Sequence, residues 1–185
     1  MLLTSGMPGK AQLHHMWDLA EAERTRRFGT ASCQLTPSPV AGEPTQVRFR
    51  FEPGETGLPV GGRLRFAWRW PFDWQPPSTD QMGLSAPVEA DVTFEPMGDL
   101  DAWNHHIEIK VTSGVLQAGA VAELDCGGDG WGAPTFTTRN AGFLAAIDPT
   151  GEDQWLRLVD MPAFAITPGP AVELLAVATA GGTVG

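Results

Sequence analysis

A chain of 185 residues suffices for one domain whose buried core needs neither disulfides nor metals. A net charge of −10 argues against general nucleic-acid affinity, which needs clustered Lys and Arg facing phosphate. No stretch approaches the roughly 20 consecutive apolar residues of a membrane-spanning helix, and 16 Pro and 22 Gly spread along the chain read as turn punctuation in an all-β domain.

The opening MLLTSGMPGK lacks a basic segment followed by an apolar run, so no signal peptide is expected and the expected location is cytoplasmic. AQLHHMWDLAEAERTRRF is the one good helical pattern. Leu13, Met16, Trp17 and Ala20 fall at i, i+3, i+4 and i+7, one apolar stripe. Glu23 and Arg27 add an i, i+4 pair, and Gly29 ends the pattern. Such a stripe is expected to dock on its own sandwich or on a protein partner.

Beyond TPSPVAGEP the period changes to two. QVRFRF sets Val47, Phe49 and Phe51 on one face and Gln46, Arg48 and Arg50 on the other. In GGRLRFAWRW, Leu64, Phe66, Trp68 and Trp70 alternate with Arg63, Arg65, Ala67 and Arg69. VEADVTFEP and HHIEIKV alternate in the same way, with Glu89, Asp91 and Glu95 on the polar face of the first. If these strands are neighbours, arginine and carboxylate rows pair across them and the aromatic rows face a second sheet, so the Arg/aromatic stretch reads as core. Shorter strands are expected at AVAELD, PTFTTR, GFLAAID, WLRL, FAIT and VELLAVA, with ELDCGGDGWGAP as a tight hairpin or loop. Strands at this spacing predict a two-sheet sandwich, with a barrel as the alternative.

Few residues carry chemistry by pattern. His105 and His106 are adjacent on a strand and point to opposite faces. His106 and Glu108 share one, and Asp125, which the pattern does not place beside them, completes a candidate metal set. Asp125 and Asp129 lack the ligand spacing of a calcium loop. HExxH, GxSxG, a Walker loop and a Rossmann fingerprint are absent from the sequence, so no catalytic residue is assigned and no cofactor is expected. Cys33 and Cys126 have no metal-ligand spacing and read as two buried thiols, although a fold could bring them face to face. Trp74, Trp103 and Trp131 fall outside the inward alternation. They either plug the ends of the sandwich or offer indole faces to a sugar or peptide.

FGTASCQLTPSPVAGEPTQVRFRFEPGETGLPVGGRLRFAWRW, DWQPPSTD, IEIKVTSGVLQAGAVAELDCG and PAFAITPGPAVELLAVATA follow one another over about four fifths of the chain. In that order they resemble the N-terminal β-rich region of a family of large uncharacterised bacterial proteins, whose downstream domain is similar to PHP-type metal-dependent phosphoesterases. The matches that carry the resemblance are the Gly57–Gly62 turn, Asp73-Trp74 before Pro, and Pro168-Gly169-Pro170. Their nature is structural rather than catalytic. The glycine-rich loop after Asp125 is shorter here, and the sequence stops at GGTVG, so no metal ligand of that hydrolase domain carries over. The chain is then either the amino-terminal piece of a longer product or a domain that lives alone.

The expectation is an all-β, immunoglobulin-like two-sheet antiparallel sandwich with a short N-terminal helix. Residues 1–28 form a helical appendage, 29–178 the sandwich and 179–185 a flexible tail. Its expected role is that of a non-catalytic accessory or interaction domain. The resemblance implies a PHP-like hydrolase partner, covalently linked or separate, with neither nucleic acid nor membrane as partner. A carbohydrate- or peptide-binding module on Trp74, Trp103 and Trp131, and a small metal-dependent hydrolase on His106, Glu108 and Asp125, are the alternatives.

Overall fold

The computed structural model describes residues 13–14, 19–69, 74, 77–95, 103–158 and 161–170. In chain order these form β1 (Leu13–His14), α1 (Glu21–Phe28), β2 (Thr30–Thr36), β3 (Pro44–Glu52), β4 (Arg63–Arg69), a 3-10 turn (Thr79–Gln81), β5 (Met82–Ser85), β6 (Glu89–Glu95), β7 (Trp103–Ser113), β8 (Ala122–Gly132), β9 (Thr138–Ala141), β10 (Phe143–Asp148), β11 (Trp155–Arg157) and β12 (Phe164–Ile166). A six-stranded sheet in the order β1-β11-β10-β4-β7-β6 faces a four-stranded sheet in the order β2-β3-β8-β5, and β12 and β9 form a separate two-stranded ribbon. All pairings of the two large sheets are antiparallel except β1 with β11. This is the two-sheet antiparallel β-sandwich that the alternation predicted. No helix among the described residues is long and apolar enough to cross a membrane.

The alternation of β3 is complete: Thr45, Val47, Phe49 and Phe51 are buried, and the residues between them are exposed. Opposite them, β4 turns Leu64, Phe66 and Trp68 inward, and β7 turns Ile107, Ile109 and Val111 inward. Phe49 and Phe66 stack across the sandwich at 4.5 Å between centroids. Burying each such side chain contributes about 1.5–3 kcal/mol, which makes this face the source of the domain's stability.

The arginine faces find other partners than β6. β3 neighbours β2 and β8, so Arg48 pairs with Asp125 and Arg50 with Glu123 and Glu52 on the exposed side of the small sheet. On the large sheet Arg65 donates to Glu108 of β7 at 2.7 Å. Arg63 donates to Asp148 and Asp153 at 2.5 and 2.6 Å.

β10 is buried at every position. Phe143, Ala145 and Ile147 join the main core, whereas Leu144 and Ala146 point outward to a second cluster with Ala67 and Trp155. A central strand covered on both faces reads as a continuous apolar run rather than an alternation, and FLAAI is such a run.

The N-terminal helix differs from the expected one. α1 begins at Glu21, with Ala20 as its N-cap residue, and Leu13–His14 instead pair in parallel with Trp155 and Leu156. A strand partner some 140 residues downstream overrides the local helical period, so Leu13 and Ala20 do not belong to one helical stripe; Met16 and Trp17 lie outside the described residues. α1 itself carries Glu21 and Glu23 in its first turn and Arg26 and Arg27 in its last, as the helix dipole favours. Arg26 bonds Glu23 and Glu55 rather than leaving Glu23 to Arg27. Gly29 ends the helix at φ 94°, and the amides of Glu55 and Thr56 bond the carbonyls of Arg26 and Arg27 at 2.9 and 3.0 Å.

The Gly/Asp-rich stretch after Asp125 is likewise no hairpin. β8 runs on through it to Gly132, with a register shift that sets Gln46 opposite Gly127 and Pro44 opposite Gly132. Gly127 has φ 128°, and a Cβ there would lie 2.7 Å from the Thr45 carbonyl oxygen. The glycine permits an irregular strand to approach its neighbour, not a turn. The strand expected at VELLAVA lies outside the described residues.

Candidate functional site

The structure separates the residues of the metal alternative. His106 and Glu108 lie on the outer face of the large sheet, where His106 is buried and Glu108 is held by Arg65. Asp125 is exposed on the outer face of the small sheet and bound by Arg48 through two hydrogen bonds of 2.6 and 3.0 Å. The core, about 10 Å thick, lies between them, so the three carboxylate and imidazole groups cannot share one ion. Among the described residues no group of three or more His, Cys, Asp or Glu could hold a metal. His105 sits at the core edge, edge-on to Phe94 and Trp68 at 5.6 and 6.1 Å, and burial lowers its pKa.

Of the tryptophans expected to plug or to present, Trp74 and Trp131 are buried and pack on each other at 5.6 Å. Trp131 belongs to β8 and is too enclosed to offer a face. Trp103 starts β7, opposite Arg69, and its side chain lies outside the described residues. An exposed three-tryptophan platform is therefore not what these residues form: Trp74 and Trp131 plug.

Trp74 also forms part of a cleft of about 610 Å³ at one end of the sandwich. The cleft lies where the chain passes from β9, paired with β12 in the ribbon, through Gly142 into β10, paired with β4 in the large sheet. Its floor is aromatic. Phe143 contacts Phe49 at 4.9 Å, Phe164 at 5.3 Å, Trp74 at 5.4 Å and Trp68 at 6.2 Å, mostly edge to face, the geometry that ring quadrupoles prefer. Phe136, 41% exposed, stands at the mouth. Thr138 and Asn140 of β9 supply neutral polar groups, with the backbone N–H of Asn140 donating to Thr138 Oγ1 at 3.2 Å.

The indole Nε1–H donors of Trp68 and Trp74 are buried and have no hydrogen-bond partner among the described residues. Such a donor costs about 1–3 kcal/mol while unpaired; the Nε1 of Trp155, in the second apolar cluster, is buried without a partner in the same way. Among the described residues no Asp or Glu lines the cleft, and Arg157, its one cationic lining residue, is already engaged in an interaction. From the described residues the cleft offers apolar contact and hydrogen bonding.

A scan against protein families finds no match, and a search of curated proteins finds none. Among solved structures, the chain is similar to a cohesin module of a family 33 glycoside hydrolase from Clostridium perfringens, with 7% identity over 76% of this chain and 97% of that one, at a TM-score of 0.43. It is also similar to the bacterial hydrophobin BslA (12% identity, 76% and 100% coverage, TM-score 0.44). A scaffoldin family 3b carbohydrate-binding module from Bacteroides cellulosolvens gives 12% identity, 71% and 98% coverage and a TM-score of 0.38. At such scores the fold assignment rests on strand order and register, and no ligand transfers from these neighbours.

Sequence reasoning placed Trp68 in the core, where it lies, and left Trp74 open between a plug and a presented indole, but missed the cleft. Phe136, Thr138, Asn140 and Phe143 sit in TFTTRNAGF, where the only local signal is the Asn-Ala-Gly break between two short strands.

Proposed function

We propose that this sandwich is a non-catalytic ligand-binding domain and that its ligand occupies the cleft between Phe136 and Trp74. The observation that carries this reading is the composition of the cleft. About 610 Å³ of space is walled by aromatic rings and dotted with a few neutral polar groups, the character of small-molecule sites in general. His106 and Glu108 of the hydrolase alternative lie on one outer face of the domain and Asp125 on the other. The binding alternative thus moves from Trp74, Trp103 and Trp131 to Trp68, Trp74, Phe136 and Phe143. In the setting that the sequence resemblance implies, the domain serves as accessory to a PHP-like hydrolase partner, delivering or holding what that partner acts on.

The test is a fragment screen read by the indole resonances of nitrogen-15-labelled protein. Neutral sugars, short peptides and small aromatic or alicyclic compounds are added in turn. Saturable shifts at Trp68 and Trp74 with at least one class, and their loss in Phe136→Ala, are expected. A screen in which no compound moves either resonance overturns the reading.

A further inference from the structure

Away from the cleft, both sheets end along one flank of the sandwich. β5 is the last strand of the small sheet and β6 the last of the large one, and residues 86–88 join them. Exposure alternates along β6 without a break. Glu89, Asp91, Thr93 and Glu95 are exposed, and Ala90, Val92 and Phe94 are half-buried against the core. We propose that β6 is a docking edge for an extended segment of a partner protein in which apolar residues alternate with Lys or Arg.

Burial shows what the edge would gain. One strand further in, β7 sets Ile107, Ile109 and Val111 opposite Phe94, Val92 and Ala90. Those three are 0%, 4% and 1% exposed. Face and residue type are alike in the two rows, but position differs. β7 has a strand on either side, whereas among the described residues β6 pairs with β7 alone. A strand laid along β6 would cover Ala90, Val92 and Phe94 as β6 covers the β7 row. It would also take up the outward N–H and C=O groups that an edge strand presents.

Charge selects the occupant. Glu89, Asp91 and Glu95 share the outer face of β6, and Lys110 of β7 lies opposite Asp91 in register. The ion pairs among the described residues include none of the three acids. A second copy paired edge to edge would set this acidic row against itself, and like charges directly opposite destabilise a sheet. A segment with Lys or Arg at alternate positions is complementary instead. Its cations meet the acids of β6 on one face, and its apolar residues extend the half-buried row on the other.

The whole 185-residue protein is titrated with three peptides of the length of β6, capped at both ends. One alternates Lys with Val, one Glu with Val, and one Lys with Gly. Amide hydrogen exchange is followed residue by residue. The Lys/Val peptide should bind saturably and slow exchange at alternate amides of Glu89–Glu95 about tenfold or more. The Lys/Gly peptide keeps the charge without the apolar row and should bind about tenfold more weakly. The Glu/Val peptide should not bind. Asp91→Lys combined with Glu95→Lys changes exposed side chains only and should reverse the preference towards Glu/Val.

If all β6 amides are as protected in the free protein as those of β7, the edge is already covered and the proposal fails. Equal binding of Lys/Gly and Lys/Val would be attraction of charge without strand addition, and also overturns it. If no peptide slows exchange in β6, the acidic row only guards against self-pairing. Protection that rises with protein concentration, without peptide, would make a second copy the occupant and overturn the proposal as well.

Discussion

The guanidinium of Arg65 lies over the ring of Trp155, its central carbon 3.9 Å from the ring centroid, while its Nε donates to Glu108 at 2.7 Å. Arg63 stands beside it at 4.9 Å from the same ring. A face that alternation alone marks as solvent-exposed is thereby closed: the Arg65 and Glu108 side chains are 8% and 15% exposed. Removing one member of such a pair leaves a buried charge without its counterpart. Arg65→Ala should cost about 3 kcal/mol, and Trp155→Ala, which also empties part of the second apolar cluster, about 3–5 kcal/mol. Urea denaturation midpoints measure both. If Arg65→Ala moves the midpoint no more than an exposed pair such as Arg48 and Asp125, whose partners are about half exposed, the burial argument fails.

Asp148 should make the fold sensitive to acid. Its carboxylate is fully buried. It accepts from Arg63, from the hydroxyl and amide of Thr150, and from the amides of Gly151 and Asp153 at 2.9–3.3 Å apart from the 2.5 Å Arg63 contact. Burial raises its pKa, but the Arg63 guanidinium and these donors outweigh burial and hold it below the ordinary 3.8. A depressed folded value means stability that is present above 3.8 and is lost as pH falls through the folded value. Asp148→Asn should be destabilised by about 3 kcal/mol at neutral pH and show a flatter decline in stability below pH 4 than the parent. A parallel decline in parent and variant would show that other carboxylates govern acid unfolding.

How much of this was legible beforehand depended on whether a feature was local. The alternation in β3, β4, β6 and β7 needs only that one face meets water and the other the core, and each strand carries that record in its own residues. β1 does not: Leu13–His14 join the sheet through Trp155–Leu156, a pairing with no trace in the period around them. The glycines at 127 and 128 were visible but ambiguous, because glycine serves both a tight turn and a strand that another backbone approaches closely. The cleft gathers positions 68, 74, 136, 138, 140 and 143 from separate elements. No spacing rule links them, so only the fold reveals them.

Two thiols should remain unreactive until the protein unfolds. Cys33 on β2 and Cys126 on β8 lie on opposite sides of β3, facing Phe49 and Val47 in register. Strands two apart are separated by about 9–10 Å, beyond the roughly 7 Å over which Cα atoms can be bridged by a disulfide. Burial raises the Cys33 pKa to about 11 and that of Cys126 to about 12, so little nucleophilic thiolate exists at neutral pH. Iodoacetamide at pH 8 should leave the native protein unmodified over minutes and label both cysteines in denaturant, as read by intact mass. Rapid native labelling of Cys126 would mean that β8 opens locally.

Glycine 29 tests the junction between α1 and β2. At φ 94° any side chain is strained, and a Cβ would lie 2.1 Å from the Glu52 carbonyl oxygen. Gly29→Ala must displace backbone and should cost about 3 kcal/mol. Gly42, at φ 77° with nothing within 4 Å of a built Cβ, isolates the conformational part alone, and Gly42→Ala should cost about 1 kcal/mol. Equal losses in thermal denaturation would show that the close approach at Gly29 relaxes freely.

Two phenylalanines in one cleft should behave oppositely. Phe143 is 3% exposed and touches Phe49, Trp68, Trp74 and Phe164, so it joins the cleft floor to the sandwich core. Phe143→Ala leaves a cavity among these rings and should lose about 3–5 kcal/mol of stability. Phe136 is 41% exposed and supports nothing beneath it comparable, so Phe136→Ala should change stability by no more than about 0.5 kcal/mol. Denaturation of the two variants separates the roles. A large loss in Phe136→Ala would make this ring part of the core and count against the proposed binding role of the cleft.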